Sequence, residues 1–301
     1  MQKIFRKSIM RVLITGGSGF VGSNLADYLT DKGHQVTIFD TKKSKWLRKN
    51  QKFIKGDLLS SSLKTAIKNK DVIYNFAAIS DIDEAIKKPI ETAKINILGT
   101  LKILDLIKKK KIKRFVQASS IYVNSNSGSF YRCSKKASEE FIEEYSKLHG
   151  IKYTIIRYGS IFGRRSDVKN GVYKLICSGL KHKKISYYGF KQSIRRYINV
   201  IDVCRGSLQI LDKKYENSHI LITGNKEIKV FDLIKMISKR LGIKKIEFRQ
   251  EKISGHYIKN PFTYKPKKGK FLRIKNQLNF KKSIDNLIID IIQNENLQKI
   301  K

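Results

Sequence analysis

The stretch Thr15-Gly16-Gly17-Ser18-Gly19-Phe20-Val21-Gly22 decides the fold, because it joins an apolar strand to a helix through a glycine-rich turn. Residues 11–15 (RVLIT), directly before it, are typical of a short buried strand. After it, apolar side chains recur at helical spacing until Gly33 ends the pattern: Val21, Leu25 and Leu29. This order of strand, turn and helix predicts the opening of a βαβ unit.

The three glycines at every third position have distinct roles in such a turn. Gly16 allows the tight bend, Gly19 lets the backbone approach a pyrophosphate, and Gly22 lets the helix pack on the strand. The helix N-terminus then faces the anion. Glycine-rich turns without a ligand exist, but the flanking strand and helix are those that a dinucleotide site requires. We expect the following residues to contact the dinucleotide: Gly16, Ser18, Gly19, Phe20, Val21 and Gly22.

Strands and helices alternate over the first half of the chain. Each predicted strand is apolar nearly from end to end, which favours a parallel sheet covered by helices on both faces. The predicted strands are residues 11–15, 35–40, 53–57, 72–77, 114–120 and 153–159. The later helices are residues 60–69, residues 90–109 with Ala93, Ile97, Leu101 and Leu104 facing inward, and residues 131–149 with Ala137, Phe141, Tyr145 and Leu148 facing inward and Gly150 as the cap.

Beyond Gly163 the pattern loosens into shorter, mixed segments. No Pro- or Gly-rich linker separates the two halves, so we expect packed lobes with a cleft between them. The sequence predicts an α/β protein with a Rossmann doubly wound parallel sheet over residues 11–163. A smaller mixed α/β substrate lobe is expected over residues 164–301, with the segment around 197–223 returning to the main domain.

The formal net charge of +39 is unusual for a chain of 301 residues. Clustered cations can neutralise nucleic-acid phosphates. Here the lysines are spread over helix ends and loops, and no known nucleic-acid-binding module is recognisable. We therefore expect no specific nucleic-acid partner, and an electrostatic field that attracts small polyanions such as nucleotide diphosphates.

The remaining composition indicates a folded protein of a reducing compartment. The hydrophobic share of 41% suffices for a large core. No apolar run approaches the roughly 20 residues that span a bilayer, and the basic residues 1–10 lack the apolar centre of a signal peptide, so we expect a cytoplasmic protein without membrane contact. The three widely spaced cysteines, without a CxxC, predict free thiols and no metal site: Cys133, Cys177 and Cys204.

Asp40 ends the second predicted strand, about 20 residues after the glycine turn. An acidic side chain at this place hydrogen-bonds the ribose hydroxyls of a bound dinucleotide and favours NAD over NADP. Lys42 and Lys43 are close enough to accommodate a 2′-phosphate, which leaves NADP as the alternative.

Tyr131 and Lys135 are four residues apart on a predicted helix and therefore share one face. A tyrosine serves as acid or base near neutrality only if its pKa of about 10 is lowered, and a nearby ammonium with a positive nicotinamide ring would lower it. An exposed tyrosine above a solvated lysine is the ordinary alternative for this common spacing. The position after Ser119-Ser120 in a dinucleotide-binding chain favours a proton-transfer pair.

From about Arg11 to the C-terminus, the chain resembles the extended short-chain dehydrogenases/reductases of the NAD-dependent nucleotide-sugar epimerase/dehydratase family, in particular enzymes like UDP-glucose 4-epimerase. Asn124 and Ser125 replace the family's usual Tyr-Gly, and Ser160 replaces an Asn. The segments that carry the resemblance are TGGSGFVG (15–22), Asp40, Gly56-Asp57, VIYNFAA (72–78), NILGT (96–100), SSIYVNS (119–125), YRCSK (131–135) and RYGSIFG (157–163).

The resemblance implies NAD as the cofactor and assigns roles to further residues. It makes Ser120, Tyr131 and Lys135 catalytic, with Asn96 completing a proton relay. Further cofactor contacts are implied at Asp40, Asp57, Leu58, Ala77, Ala78, Tyr131, Lys135 and Tyr158.

In the second half, RRYINVID (195–202) resembles the family's RDFxxVxD segment. Arg195 is then expected to clamp the diphosphate of a nucleotide-diphosphate sugar, where a planar bidentate donor suits phosphate. Ser120 and Ser160 are the other expected substrate contacts. Arg196 stands where the family has Asp, and residues 264–270 offer another candidate phosphate contact.

The reaction implied by the resemblance is epimerisation of a nucleotide sugar. Tyr131 removes a hydroxyl proton while hydride passes to the nicotinamide, and the keto intermediate rotates and takes the hydride back. A 4-keto nucleotide-sugar reductase using NAD(P)H needs the same residues and stays open. A 4,6-dehydratase is less favoured, because Ile121 and Tyr122 stand where those enzymes have an acidic pair.

A catalytically silent NAD-binding sensor is the alternative from another class, since a fold does not fix a function. The intact Ser120, Tyr131 and Lys135 favour an enzyme. The resemblance also implies a candidate homodimer through helices 90–109 and 131–149, although the charged faces of these helices could equally be solvated.

Overall fold

The computed structural model of the protein describes residues 9–249 and 269–299. Its strands are β1 (Arg11–Thr15), β2 (Gln35–Asp40), β3 (Lys52–Lys55), β4 (Val72–Asn75), β5 (Arg114–Ser120), β6 (Tyr153–Tyr158), β7 (Ser160–Phe162), β8 (Lys184–Tyr188), β9 (Ile194–Arg195), β10 (Tyr197–Asn199), β11 (Ser218–Ile222), β12 (Ile228–Lys229), β13 (Lys245–Arg249) and β14 (Lys270–Phe271).

Ten α-helices are interleaved with the strands within these described ranges. They are α1 (Phe20–Asp31), α2 (Ser62–Ile67), α3 (Ile82–Lys87), α4 (Pro89–Ala93), α5 (Gly99–Ile107), α6 (Ser129–His149), α7 (Gly171–His182), α8 (Val200–Gln209), α9 (Val230–Leu241) and α10 (Phe280–Lys299). No helix within residues 9–249 and 269–299 is both long and apolar enough to cross a membrane.

Eight strands form one sheet in the order β14-β11-β6-β5-β4-β1-β2-β3, and every pair in it is parallel. The order from β3 to β6 is that of a doubly wound dinucleotide-binding sheet, with its topological switch between β1 and β4. This arrangement confirms the predicted α/β fold. Ligands of such sheets bind outside the carboxyl ends of the strands at the switch, which is where the glycine turn follows β1.

Apolar side chains cover both faces of this sheet. On one face, α1 and α8 pack over the strands through side chains such as Leu25 and Val203. On the other face, α2, α5 and α6 contribute Ala66, Ile103 and Ile142. A third cluster joins α7, α9 and α10 beside the short strand β8. The large sheet is therefore buried on both sides, as its continuous apolar strands require.

The segment after β7 contributes both to the large sheet and to the third cluster. Strand β11 pairs with β6, and Val203 and Ile220 belong to the core of the large sheet. Strand β8 instead pairs with β13, away from that sheet. The chain therefore returns to the large sheet through α8 and β11. The division into domains at residues 11–163 and 164–301 remains a prediction.

The predicted continuous helix over residues 90–109 is wrong in detail. A π-helical turn, Lys94–Leu98, separates α4 from α5. The buried side of this segment is partly polar, and the side chains predicted to face inward at Ala93, Ile97 and Leu101 are only half-buried. The π turn changes the helical phase, so the inward positions are instead Thr92, Asn96, Gly99, Thr100, Ile103, Leu104 and Ile107.

The predicted inward face of α6 is also wrong. Phe141 is 41% exposed and Leu148 is 75% exposed, while Ala137 and Tyr145 are half-buried. The buried face carries Ser134, Lys135, Ser138, Glu139 and Ile142. Polar side chains are buried here because they find partners in the cleft and on the neighbouring strands. The predicted cap is correct, since Gly150 takes the left-handed conformation with φ 68°.

Candidate active site

A cleft of about 530 Å³ lies along the carboxyl ends of β1, β2, β4, β5 and β6. Its volume is within the range of small-molecule and cofactor sites. Strands β3 and β4 each end two residues earlier than predicted, and the residues that follow them turn into this cleft. Predicted site residues that line it are Gly16, Gly19, Phe20, Val21, Gly22, Asp40, Asp57, Leu58, Ala77, Ala78, Ser120, Tyr131, Lys135 and Tyr158.

The glycine turn is packed so closely that side chains are excluded from it. Gly16 has φ 67°, and a Cβ there would lie 2.6 Å from the backbone nitrogen of Ala77. A Cβ on Gly22 would lie 2.3 Å from the carbonyl oxygen of Gly16. The sequence predicted both constraints. The backbone of the turn therefore runs close against the start of α1, and internal hydrogen bonds fix it: the backbone nitrogen of Gly16 donates to Phe39 (2.9 Å) and that of Gly19 to Gly16 (3.1 Å).

The start of α1 suits an anionic group. Gly19 is the N-cap and supplies no side-chain cap, and the first turn contains no acidic residue. The first backbone N–H groups of a helix lack internal partners and carry partial positive charge. Because Phe20, Val21 and Gly22 line the cleft, this helix end can receive the pyrophosphate of a dinucleotide.

Asp40 and Asp57 lie at the same end of the cleft, after β2 and β3. Asp40 accepts hydrogen bonds from the backbone nitrogens of Ser18 (3.0 Å) and Lys42 (3.1 Å). Ser18 does not line the cleft, and its hydroxyl donates to the carbonyl oxygen of Lys42 (2.6 Å). Ser18 therefore helps to fix Asp40 at the end of β2. Asp57 accepts a hydrogen bond from the backbone nitrogen of Leu59 (2.7 Å).

At the opposite end, Ser120, Tyr131 and Lys135 converge. The side chains of Tyr131 and Ser120 both line this end of the cleft, and the Ser120 hydroxyl is near enough to the phenol to act on its pKa. The ammonium of Lys135 lies 5.8 Å from the ring centre of Tyr131 and donates to the carbonyl oxygen of Ala118 (2.9 Å). The end of β5 and the first two turns of α6 therefore present one hydroxyl, one phenol and one ammonium to the same space.

Burial shifts both titratable groups of this set. Desolvation raises the pKa of Tyr131 to about 12, although the nearby hydroxyl of Ser120 acts in the opposite direction. Desolvation lowers the pKa of Lys135 to about 8, although the charge of Glu139 raises it. Both shifts favour the uncharged form of the group, because burial penalises charge, so the phenol is harder to ionise here than in water. The lowered pKa expected for Tyr131 from the sequence is therefore not produced by the protein alone.

Asn96 lies beneath the cleft rather than on its wall. Its side-chain oxygen accepts from the backbone nitrogen of Ile79 (2.9 Å), and its amide group donates to Ile79 (3.0 Å) and to the hydroxyl of Ser134 (2.9 Å). Ser134 in turn donates to the carbonyl oxygen of Tyr131 (2.9 Å). Asn96 therefore fixes Ile79, a cleft residue, relative to the helical turn of Tyr131, and its relay role remains a prediction.

Two predicted substrate residues lie outside the cleft lining. Ser160 opens β7 and pairs with Tyr197, although its neighbours Gly159 and Ile161 do line the cleft. Arg195 is in β9, and its guanidinium donates to the carbonyl oxygen of Ile194 (2.9 Å). Their substrate roles remain predictions.

Two further segments of the second half were expected to contact phosphate or to lie beside such a contact. Arg196, which replaces the expected Asp, pairs with Glu227 at 3.0 Å. The candidate phosphate contact at residues 264–268 lies outside the described residues, and Lys270 begins β14.

The structure adds residues that sequence reasoning missed. Asn170 and Ile79 line the cleft although they belong to no predicted motif. Glu139 and Arg157 form a buried ion pair at 2.6 Å behind Lys135. The signal for this pair was in the sequence, since Arg157 interrupts an apolar strand and Glu139 follows Lys135 by one helical turn.

Comparison with known proteins decides the family. Residues 12–223, more than two thirds of the chain, match the model of the NAD dependent epimerase/dehydratase family. The chain belongs to this family. It is accordingly an enzyme of the epimerase/dehydratase type, and NAD is its cofactor; the cleft with its glycine turn, open helix terminus and acidic strand end fits that dinucleotide.

Relatives within the family differ in their reactions. The chain is 31% identical to the "Putative UDP-glucose 4-epimerase" of Methanocaldococcus jannaschii over 87% of its own length and 88% of the relative's. It is 31% identical to a UDP-N-acetyl-alpha-D-glucosaminuronate decarboxylase of Bacillus cytotoxicus, with 73% and 76% covered. A solved UDP-N-acetylglucosamine 4-epimerase of Methanobrevibacter ruminantium shares the fold at TM-score 0.84 and 22% identity, with 95% and 99% covered.

Proposed function

We propose that the protein is an NAD-dependent nucleotide-sugar epimerase that oxidises a sugar hydroxyl transiently to a ketone. The observation that carries this proposal is the convergence of Ser120, Tyr131 and Lys135 at the end of the cleft opposite Asp40 and Asp57. The 4-epimerase names of its relatives support a UDP-sugar as the first substrate to test.

Each residue of this set has a task that follows from its position. Tyr131 exchanges the proton of the sugar hydroxyl, and Ser120, whose hydroxyl lies near the phenol, hydrogen-bonds the reacting oxygen. Lys135 places a positive charge beside the ring of Tyr131, which stabilises the phenolate. When bound, oxidised NAD supplies the hydride acceptor and a second positive charge near the phenol.

The positions of the acidic residues in the cleft favour epimerisation over dehydration. Among the described cleft residues the only carboxylates are Asp40 and Asp57, both at the end that follows β2 and β3. Elimination of a sugar hydroxyl needs a proton donor for the leaving group. Ile121 and Tyr122 follow Ser120 and supply no carboxyl group there. A 4-keto nucleotide-sugar reductase remains the second candidate, because it needs the same three residues.

A substrate panel separates the candidates. The purified protein is assayed for retained NAD and incubated with UDP-, GDP-, CDP- and dTDP-sugars, with and without added NADH. We expect conversion of a UDP-sugar to its epimer without net change in NADH absorbance. Product only with NADH would favour a reductase, and tight NAD binding with no product from any sugar would favour a sensor.

We also propose that the protein is a homodimer through α4, the π turn and α6. These elements expose apolar side chains although they are otherwise rich in charge: Ile90 (73%), Leu98 (51%), Phe141 (41%) and Leu148 (75%). Neighbouring exposed apolar residues on packed helices are typical of an interaction surface.

The homodimer is tested by solution mass. We expect light scattering to give twice the chain mass of 34.8 kDa for the wild type and the single mass for Phe141→Lys combined with Leu148→Lys. Ile289→Lys is the matched control, because Ile289 is 53% exposed on α10 and should leave the mass unchanged. A monomeric wild type would refute the homodimer.

A further inference from the structure

A buried charged cluster lies directly behind the Tyr131–Lys135 pair. We call it the Glu139 cluster; it consists of Ser119, Glu139, Arg157 and His219. Each member is less than a tenth exposed. The carboxylate of Glu139 accepts from the hydroxyl of Ser119 (2.5 Å) and from the guanidinium of Arg157 at Nε (3.0 Å) and Nη2 (2.6 Å).

The carboxylate of Glu139 is held from three strands at once. Ser119 belongs to β5, Arg157 to β6 and His219 to β11, whose Nδ1 lies 3.5 Å from the carboxylate. Burial opposes the ionisation of Glu139, but the nearby imidazole of His219 and the hydrogen bonds from Arg157 and Ser119 hold its pKa below the usual value. The cluster therefore holds the carboxylate of Glu139 in its charged form, with the guanidinium of Arg157 as its counter-ion.

Glu139 and Lys135 contact adjacent residues of the same strand. They are one turn apart on α6, and both lie on its buried face. Lys135 donates to the carbonyl oxygen of Ala118, and Glu139 accepts from the hydroxyl of the next residue, Ser119. Ser120 follows Ser119 in β5. The side chains of Lys135 and Glu139 therefore contact the end of β5 that carries the hydroxyl proposed to be catalytic.

We propose that Glu139 is a positioning residue for the Tyr131–Lys135 pair: its anchored carboxylate keeps the buried ammonium of Lys135 charged and in place beside the phenol. This role rests on the proposed function, because the charge of Lys135 matters most if Tyr131 exchanges a proton. An ion pair serving stability alone would need only Arg157 and Glu139. It would not require the carboxylate to share a helix face with the ammonium.

The charges around Lys135 support the direction of this effect. Lys135 is 3% exposed, and a buried ammonium without a compensating charge tends to lose its proton. The other charged or titratable groups packed about α6, β5, β6 and β11 here are Tyr131, Glu139, Glu143, Arg157, Tyr158 and His219. Both acids have partners, Glu143 in His219 (2.6 Å) and Glu139 in Arg157 (2.6 Å), but Glu139 is the one that lies one helical turn from Lys135 on the buried face of α6.

The test measures the protonation of Lys135 directly. The whole protein is trace-acetylated between pH 6 and 10, and the modification of Lys135 is read by fragmentation mass spectrometry, which separates it from Lys136. We expect a wild-type midpoint near the pKa of about 8. In Glu139→Gln the midpoint should fall by about 1 pH unit, because an opposite charge nearby is removed.

Glu140→Gln is the matched control, since Glu140 is exposed on the next position of α6 and should leave the midpoint unchanged. A folded Glu139→Gln variant with the wild-type midpoint would overturn the proposal. Should Glu139→Gln fail to fold, Glu139→Asp decides, because it withdraws the carboxylate by one methylene. A midpoint below the wild-type value then supports the proposal, and an unchanged midpoint overturns it.

The pH profile of kcat provides a second readout. Deprotonation of Lys135 removes the charge that stabilises the Tyr131 phenolate, so kcat should fall above the pKa of Lys135, and this alkaline limb should move to lower pH in Glu139→Gln. The acetylation readout needs no substrate. A shifted midpoint in a protein that converts no sugar nucleotide would therefore refute the proposed function and leave the positioning role standing.

Discussion

Replacing Tyr131 by phenylalanine should lower kcat about 1,000-fold while the protein keeps its fold and its NAD. The change removes only the hydroxyl that meets Ser120, and positioned proton transfer of this kind contributes within that order of magnitude. The ring, which lies 5.8 Å from the ammonium of Lys135, is retained. We expect KM for the sugar nucleotide to change much less than kcat.

The measurement compares initial rates of epimer formation with the melting temperature and the retained NAD of each variant. Tyr145→Phe is the matched control, because Tyr145 is on the same helix, packs against His149 and does not line the cleft. It should turn over at the wild-type rate. If Tyr131→Phe kept more than a tenth of the wild-type kcat, Tyr131 would not be the proton-transfer residue.

Gly16→Ala should abolish NAD retention and destabilise the protein. A Cβ at this position would lie 2.6 Å from the nitrogen of Ala77 and 2.7 Å from the carbonyl carbon of Phe76, and both contacts are to backbone that cannot rotate away. The residue also has φ 67°, a conformation that costs an L-residue about 1 kcal/mol. The turn must shift, and with it the helix end proposed to bind the pyrophosphate.

Gly33→Ala is the control that introduces the same kind of backbone strain without a steric clash. Gly33 has φ 82°, but a Cβ there would meet nothing within 4 Å. This control should lose about 1 kcal/mol of unfolding free energy and still bind NAD. Calorimetric titration with NAD and thermal unfolding of both variants give the comparison. Equal NAD affinity in Gly16→Ala and wild type would exclude the turn from the cofactor site.

The elements of the fold that depend on residues adjacent in sequence were predictable from the sequence. Strands β1, β2 and β5 have their predicted bounds, because each is an apolar run with a clear start and stop. The glycine turn was predictable because its motif lies within eight consecutive residues, although the backbone that excludes a side chain at Gly16 belongs to Phe76 and Ala77. The doubly wound order then followed from the alternation of strands and helices.

The two inward faces were not predictable from apolar periodicity. On α6, the buried side holds Lys135 and Glu139, whose partners come from β5, β6 and β11. Such partners are distant in sequence, so these contacts can be identified only in the folded sheet. The apolar side of the same helix, with Phe141 and Leu148, is exposed in the monomer. An amphipathic pattern marks two faces and does not say which of them meets the sheet.

The sequence indicated which residues line the candidate site better than it indicated how those residues are arranged in space. Ser120, Tyr131 and Lys135, which the motifs singled out, line one cleft because they lie at the ends of adjoining elements, and their roles remain predictions. The hydrogen bonds of Asn96 to Ile79 depend on the π turn, which no propensity indicates. Arg195 was assigned from a motif alone, and its approach to a substrate depends on the arrangement of the second half of the chain.

The π turn at Lys94–Leu98 makes this segment intolerant of length changes. In an α-helix each residue advances the side-chain direction by about 100°. Deleting one residue from the turn would let α4 and α5 merge into one regular helix. Asn96 would then rotate away from Ile79, or Ile103 and Leu104 would rotate away from the sheet. Chains with the same cleft should therefore accept insertions and deletions in the loops at either end of this helical segment, but not within it.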